Sequence, residues 1–105
     1  MRDRALANVT VGEILLEDYL KPMGISQYAL AKAIRVPETR ISEIIRGKRR
    51  LTPDTALRLG TFFQTSPDFW LGMETECELR AARRKIEHRI LKSIRPYTEW
   101  ANQSK

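Results

Sequence analysis

Cysteine and histidine are almost missing: Cys77 and His88 stand alone among 105 residues. A lone cysteine cannot close an internal disulfide, and such usage suits a reducing compartment. One histidine with one cysteine falls short of a zinc site and gives no footing for a Cys–His catalytic pair. No apolar run approaches the roughly 20 residues that cross a bilayer. The opening Met1-Arg2-Asp3-Arg4-Ala5-Leu6-Ala7-Asn8 lacks the apolar stretch of a signal peptide. A cytoplasmic protein without membrane contact is expected. The chain has no nucleophile paired with a base, no metal-ligating cluster and no phosphate-cradling glycine loop. Neither catalysis nor a cofactor nor a metal is expected. Strands are not expected either, because no stretch alternates apolar and polar residues for long.

What the chain does have is positive charge, a formal +6, unevenly spread. Residues 1–34 carry equal numbers of basic and acidic groups. Residues 35–50 gather Arg35, Arg40, Arg46, Lys48, Arg49 and Arg50 against only Glu38 and Glu43. Residues 74–105 hold eight basic and five acidic groups. Such balance favours a polyanionic partner, although a charge run by itself also describes a solvated helix face.

The apolar spacing is helical throughout. Helix one is expected over Gly12 to Leu20, with Ile14, Leu15, Tyr19 and Met23 on one face. Thr10 and Glu13 have capping-box spacing, and Lys21-Pro22-Met23-Gly24 should end the helix. Ser26 should cap helix two, which carries Tyr28, Leu30, Ala31 and Ile34. Helix three should start with Pro37 at its first position, show Ile41, Ile44 and Ile45 as its stripe, and stop at Gly47. Thr52-Pro53 and Ser66-Pro67 open helices four and five by the same cap-then-proline logic. Helix four should turn Ala56, Leu57, Leu59, Phe62 and Phe63 inward, and helix five should anchor through Phe69, Trp70, Leu71 and Met73. Beyond Met73 the composition changes. Leu79, Ala82, Ile86, Ile90 and Ile94 suggest a further helix ended by Pro96, with a frayed Tyr97–Lys105 after it. The chain thus divides into an N-terminal arm (1–9), a helical domain (10–73) and a basic C-terminal helix and tail (74–105).

Residues 26–47 read as two short helices joined by a tight turn. Leu30, Val36 and Ile41 are spaced to pin them at a steep angle, and the small Ala31 lets the second approach closely. This is a helix-turn-helix, in which the second helix lies in the major groove. A groove about 12 Å wide admits one helix and displays a distinct pattern for each base pair. On this reading Glu38, Thr39, Arg40 and Glu43 face the bases. Arginine grips guanine, threonine offers a methyl to thymine, and each glutamate either accepts from cytosine or repels phosphate. Ser26 and Gln27, at the start of helix two, and Arg46, Lys48, Arg49 and Arg50, after helix three, would hold the phosphate backbone. Helical hairpins with a basic loop also occur in bundles that never touch DNA, so the segment alone leaves both readings open.

The segment resembles the helix-turn-helix of the Cro/phage-repressor (XRE) class. Gly12 to Glu17, Ser26-Gln27, Leu30-Ala31, Ile41, Arg46-Gly47-Lys48-Arg49, Asp54 to Leu59 and Thr65 to Leu71 are more closely similar to the HigA/VapI-type antitoxins. The likeness covers residues 10–73. It implies an all-α, five-helix Cro/repressor-like domain, here with an additional C-terminal helix. It implies a homodimer on double-stranded operator DNA in its own promoter, and a RelE/HigB-like ribonuclease toxin as protein partner. A stand-alone regulator of the same fold is the alternative. The family often has glycine where this chain has Arg35, so a left-handed arginine costing about 1 kcal/mol is expected in the turn.

Phe62, Phe63, Phe69, Trp70 and Met73 read mainly as core, with Phe69, Trp70 and Met73 as candidates for a dimer contact. His88 should be solvated and Cys77 a bystander. For the tail three readings stay open: a sixth core helix, a grip on a second subunit or a toxin, or phosphate contacts through Arg83, Arg84, Lys85 and Arg89.

Overall fold

Thr10 sets the start of the first helix. Its Oγ1 accepts from the Glu13 N–H at 3.1 Å while Glu13 Oε1 accepts from the Thr10 N–H at 3.2 Å. Two of the donors left unpaired at this helix start are thereby satisfied. The computed structural model describes residues 9–103, so most of the expected N-terminal arm, 1–9, lies outside the described residues. Helix α1 (residues 11–23) opens as an α-turn over Val11–Ile14, widens to a π-helical turn over Leu15–Leu20 and closes with Lys21–Met23. The wide turn brings residues five apart onto one face. Leu15 and Leu20 are therefore both buried, whereas Met23, expected on the inward stripe, is exposed. The helix runs on through Pro22 and ends at Gly24, whose backbone is left-handed (φ 66°).

Ser26 caps α2 (Gln27–Ile34), its Oγ accepting from the Ala29 N–H at 3.0 Å. Helix α3 (Glu38–Ile45) follows, with Pro37 one position earlier than expected, extended and just outside the first turn. Leu30, Ile41 and Ile44 are fully buried between these helices, and Ala31 is buried with them. Gly12 marks the closest approach of α1 to α3: a Cβ there would collide with the Ile44 carbonyl oxygen and come within 2.7 Å of Ile45 Cα.

Helix α4 (Pro53–Phe63) turns Thr55, Ala56, Leu59 and Gly60 inward. Leu57 and Phe62, expected in that set, are exposed. The spacing explains it: 55, 56, 59, 60 and 63 form one 3.6-residue stripe, and 57 and 62 fall just beyond its two opposite edges. Helix α5 (residues 67–93) is the main departure from expectation. No break follows Met73. The helix runs through Pro67–Ala82, a π-helical turn at Arg83–Glu87 and His88–Ser93. The expected fifth and sixth helices are thus one rod, whose second half leaves the body and stretches the molecule to 61 × 29 × 23 Å. Pro96 separates it from α6 (Tyr97–Gln103), where a frayed segment was expected. The Pro96 carbonyl itself starts α6, accepting from the Glu99 and Trp100 N–H groups at 3.1 and 3.0 Å.

The fold is all-α, with no strand and no helix long and apolar enough to cross a membrane among the described residues. Trp70 fills the centre of the joint between α1, α4 and α5. It is completely buried, its ring lies 5.0 Å from that of Tyr19 and 6.0 Å from that of Phe63, and its Nε1 donates to Thr65 Oγ1 at 2.8 Å.

Candidate nucleic-acid interface

The turn between α2 and α3 is the tight link that the paired helices require. Arg35 takes the left-handed conformation (φ 63°, ψ 49°), as expected, and the Val36 N–H closes back on the Ala31 carbonyl at 3.0 Å. A side chain in that region suffers a contact between Cβ and the backbone that glycine avoids. Arg35→Gly should therefore raise stability by about 1 kcal/mol, read as a higher urea midpoint. An unchanged or lower midpoint would show that the turn carries no such strain.

Arg58, on α4, reinforces this turn. Its Nη1 donates to the Ile34 and Arg35 carbonyls at 2.8 and 3.3 Å, supplying partners to the orphan end of α2. Its Nε reaches Asp54 Oδ2 at 3.0 Å, and the same oxygen accepts from Arg40 Nη1 at 2.9 Å. Asp54 thus joins α4 to the leading end of α3. The Arg58 hydrogen bond, reinforced by Arg40, holds its carboxyl below the usual range. Sequence reasoning missed this bridge. The Asp54–Arg58 spacing of four residues was a local signal for half of it, but Arg40 lies fourteen positions away.

Glu38 and Thr39 are exposed at the first turn of α3. Arg40 beside them is only partly exposed, with one guanidinium nitrogen engaged by Asp54 and no further hydrogen bond from its guanidinium among the described residues. Glu43 is half-buried one turn further on and accepts from Arg49 Nε at 2.9 Å. The expected base-facing residues therefore share one helix, but two of them are oriented by ion pairs. At the start of α2, Ser26 is exposed and accepts a backbone N–H, which leaves its hydroxyl hydrogen to donate; Gln27 is half-buried.

The basic loop after α3 is anchored rather than loose. Gly47 is left-handed (φ 75°), Arg46 Nε donates to the Ser42 carbonyl at 3.3 Å, and Leu51 is wholly buried. The Leu51 N–H donates to Glu74 Oε1 at 2.9 Å, and Arg50 makes a two-pronged pair with Glu78 at 2.9 and 3.0 Å. Burial pushes the Glu74 carboxyl up, while the Arg50 hydrogen bond draws that of Glu78 down. Both glutamates sit on the stretch whose composition reads as tail, and nothing local marks them as supports of the loop. Lys48 is exposed and makes no ion pair among the described residues. The leading end of α3, the start of α2 and the loop of 46–50 are thus held in fixed relation on the outside of the molecule, with α3 about 12 Å long between its two ends.

Trp70 drops out as a dimer contact because it exposes no surface; Phe69 is 41% exposed and Met73 half-buried. His88 is exposed, and burial raises the thiol of Cys77 away from thiolate reactivity.

Known proteins share this arrangement. A family model described as helix-turn-helix matches residues 16–70. Virulence-associated protein I of Dichelobacter nodosus is 54% identical over 71 residues, 68% of this chain and 66% of that relative, so the match spans just under two thirds of it. Antitoxin HigA-1 of Vibrio cholerae is 33% identical over 96 residues, 91% of this chain and 90% of the relative. The solved structure described as Pseudomonas aeruginosa antitoxin HigA with higBA promoter has a TM-score of 0.82 at 34% identity, covering 86% of this chain and 98% of that one. These matches bear out the resemblance drawn from the sequence.

Proposed function

The chain belongs to the helix-turn-helix family, and from that premise we propose that it is a dimeric, sequence-specific repressor of its own operon and the antitoxin of a HigBA-type module. The observation that carries this reading is the leading end of α3: Glu38 and Thr39 stand exposed there, Arg40 is aimed by Asp54, and cations flank the far end. Two such helices about 34 Å apart enter successive major grooves on one face of the duplex and occlude polymerase. No bond is made or broken. The partner is a RelE/HigB-like ribonuclease, neutralised by binding, in the cytoplasm. A relative named as an antitoxin and a relative solved with its promoter support the assignment. The DNA-binding unit extends past Met73 to Glu78, because Glu74 and Glu78 hold the basic loop in place.

The test is footprinting and binding on duplex from the region upstream of the protein's own reading frame. A protected site is expected there. Arg40→Ala should weaken that site by roughly 1–3 kcal/mol and relax preference at one base position, while leaving random duplex nearly unchanged. The Arg40–Asp54 pair lies at the surface, where solvent screens it, and adds little to folding, so the variant stays folded. Equal affinity of variant and parent for the site would remove α3 as the reading helix. Co-purification of the product of the adjacent reading frame separates the antitoxin from a stand-alone regulator. The basic second half of α5 is a poor complement for a basic toxin, and that favours a toxin contact elsewhere on the chain.

A further inference from the structure

A groove of about 540 Å³ opens on the outer face of α4, against the end of α2 and the turn that follows it. That volume suits a small ligand. Leu57 and Phe62, 59% and 39% exposed, supply its large apolar side chains. They are separated by about 7.5 Å along α4 at 1.5 Å per residue. That is the length of one ring or a short alkyl chain, not of a partner's helix face. The Thr61 hydroxyl in the same groove donates to the Leu57 carbonyl at 2.8 Å, which leaves the guanidinium groups as the donors. Arg35 is exposed, and its side chain makes no hydrogen bond or ion pair among the described residues. Arg58 commits Nε to Asp54 and Nη1 to the Ile34 and Arg35 carbonyls, but its Nη2 makes no hydrogen bond among the described residues. Asp54 is the one carboxylate lining the groove, and Arg40 claims it as well. Three guanidinium groups, of Arg35, Arg40 and Arg58, therefore meet a single carboxylate.

We infer that this groove binds a small amphipathic anion, a carboxylate or phosphate on a single ring or short alkyl chain, as an effector that weakens binding to duplex. Oxyanions take guanidinium groups two-pronged, and Arg35 with Nη2 of Arg58 offers the donors. The apolar body then lies against Leu57 and Phe62 and removes their surface from water. A DNA phosphate would satisfy the same arginines but leave both side chains wet. The sign of the effect follows from position. Arg35 lies just before Glu38, where α3 begins. The bound negative charge therefore sits beside the helix end that must approach phosphates. It also competes with Asp54 for Arg58, which leaves that carboxylate to hold Arg40 more firmly, so Arg40 turns less readily to a base. Both effects disfavour the duplex-bound state, and linkage makes duplex weaken the ligand by the same factor. The effect on duplex rests on the DNA-binding reading above, whereas occupancy of the groove does not.

The experiment titrates phenyl phosphate, as the probe, into the isotope-labelled full chain and follows its amide NMR signals. Inorganic phosphate and benzyl alcohol, the two halves of the probe, are titrated alongside at constant ionic strength. Phenyl phosphate should shift the signals of Arg35, Leu57, Arg58 and Phe62 saturably, and each half alone should bind at least about tenfold more weakly. Arg35→Gly, which relieves the left-handed backbone, and Leu57→Ser, at an exposed position, should each weaken the probe several-fold in a folded protein. In fluorescence anisotropy on the cognate duplex, saturating phenyl phosphate should lower affinity several-fold, and the loss should shrink in Leu57→Ser. The absence of a saturable shift at those four positions, or shifts that inorganic phosphate reproduces at equal concentration, would overturn the inference. Slower sedimentation of Leu57→Ser would give the groove to a second copy and overturn it too. A groove that fills while duplex affinity stays unchanged would overturn the effector role. A parent that binds no duplex while the groove still fills would remove the DNA-binding reading and leave the ligand site standing.

Discussion

Trp70→Ala should lower the unfolding free energy by about 3–5 kcal/mol, the largest single-residue loss expected in this chain. The indole is entirely enclosed and touches rings from two other elements, Tyr19 on α1 and Phe63 on α4. Removing it opens a cavity that three helix backbones would have to close together, and it strands the Thr65 hydroxyl that accepts from Nε1. Domains of this kind are stable by roughly 5–15 kcal/mol, so the variant should be marginal at 37 °C. Denaturant unfolding followed by circular dichroism gives the number. Two controls localise the cause. Trp70→Phe keeps most of the apolar volume and should cost clearly less. Trp100→Ala removes the other tryptophan, which is half-exposed on α6, and should cost well under about 1 kcal/mol. Comparable losses at positions 70 and 100 would mean that the joint between α1, α4 and α5 is not the keystone its burial implies.

Much of this architecture was legible because its signals are local. Thr10, Ser26 and Ser66 each accept a backbone N–H within three residues, so the helix starts could be read from residue type and spacing. Arg35 could be placed in a left-handed turn only through the resemblance to a family that often has glycine there, and its backbone is left-handed (φ 63°). The departures share a different cause, which is contact between residues far apart. The π-helical turn at Leu15–Leu20 moves Leu20 inward and Met23 outward, and no 3.6-residue pattern encodes that shift. Glu74 looks like the start of a charged tail until its carboxylate is seen holding the Leu51 N–H, twenty-three residues back. The same holds for Asp54 and Arg40. In the candidate interface the residue types and their places were readable, but the carboxylates that aim them were not. Side chains that read DNA must be held still while unbound, and the groups that hold them come from whichever helix happens to pack behind.

Binding to duplex should be steeply salt-dependent. With roughly six phosphates neutralised across two subunits, log K should fall against log salt with a slope near −5, so affinity drops about 1,000-fold between 50 and 200 mM salt. The structure sharpens which side chains set that slope. Arg49 and Arg50 are already paired with Glu43 and Glu78, and Arg46 is turned onto its own helix end. Those pairs are solvent-exposed and weak, so phosphate can take the arginines over, but removing either arginine also releases a carboxylate beside the DNA. Lys48 carries no such complication. Lys48→Ala should weaken the cognate site and random duplex alike and make the slope shallower by about one for each phosphate left without its lysine. Glu78→Gln should act oppositely: buried Leu51 and its bond to Glu74 still hold the loop, Arg50 then meets phosphate without first giving up a charged partner, and affinity for both kinds of duplex should rise. Fluorescence anisotropy across a salt series measures all three proteins. A flat salt response in the parent would exclude backbone binding by this loop, and a weakening in Lys48→Ala confined to the cognate site would move Lys48 from the phosphates to the bases.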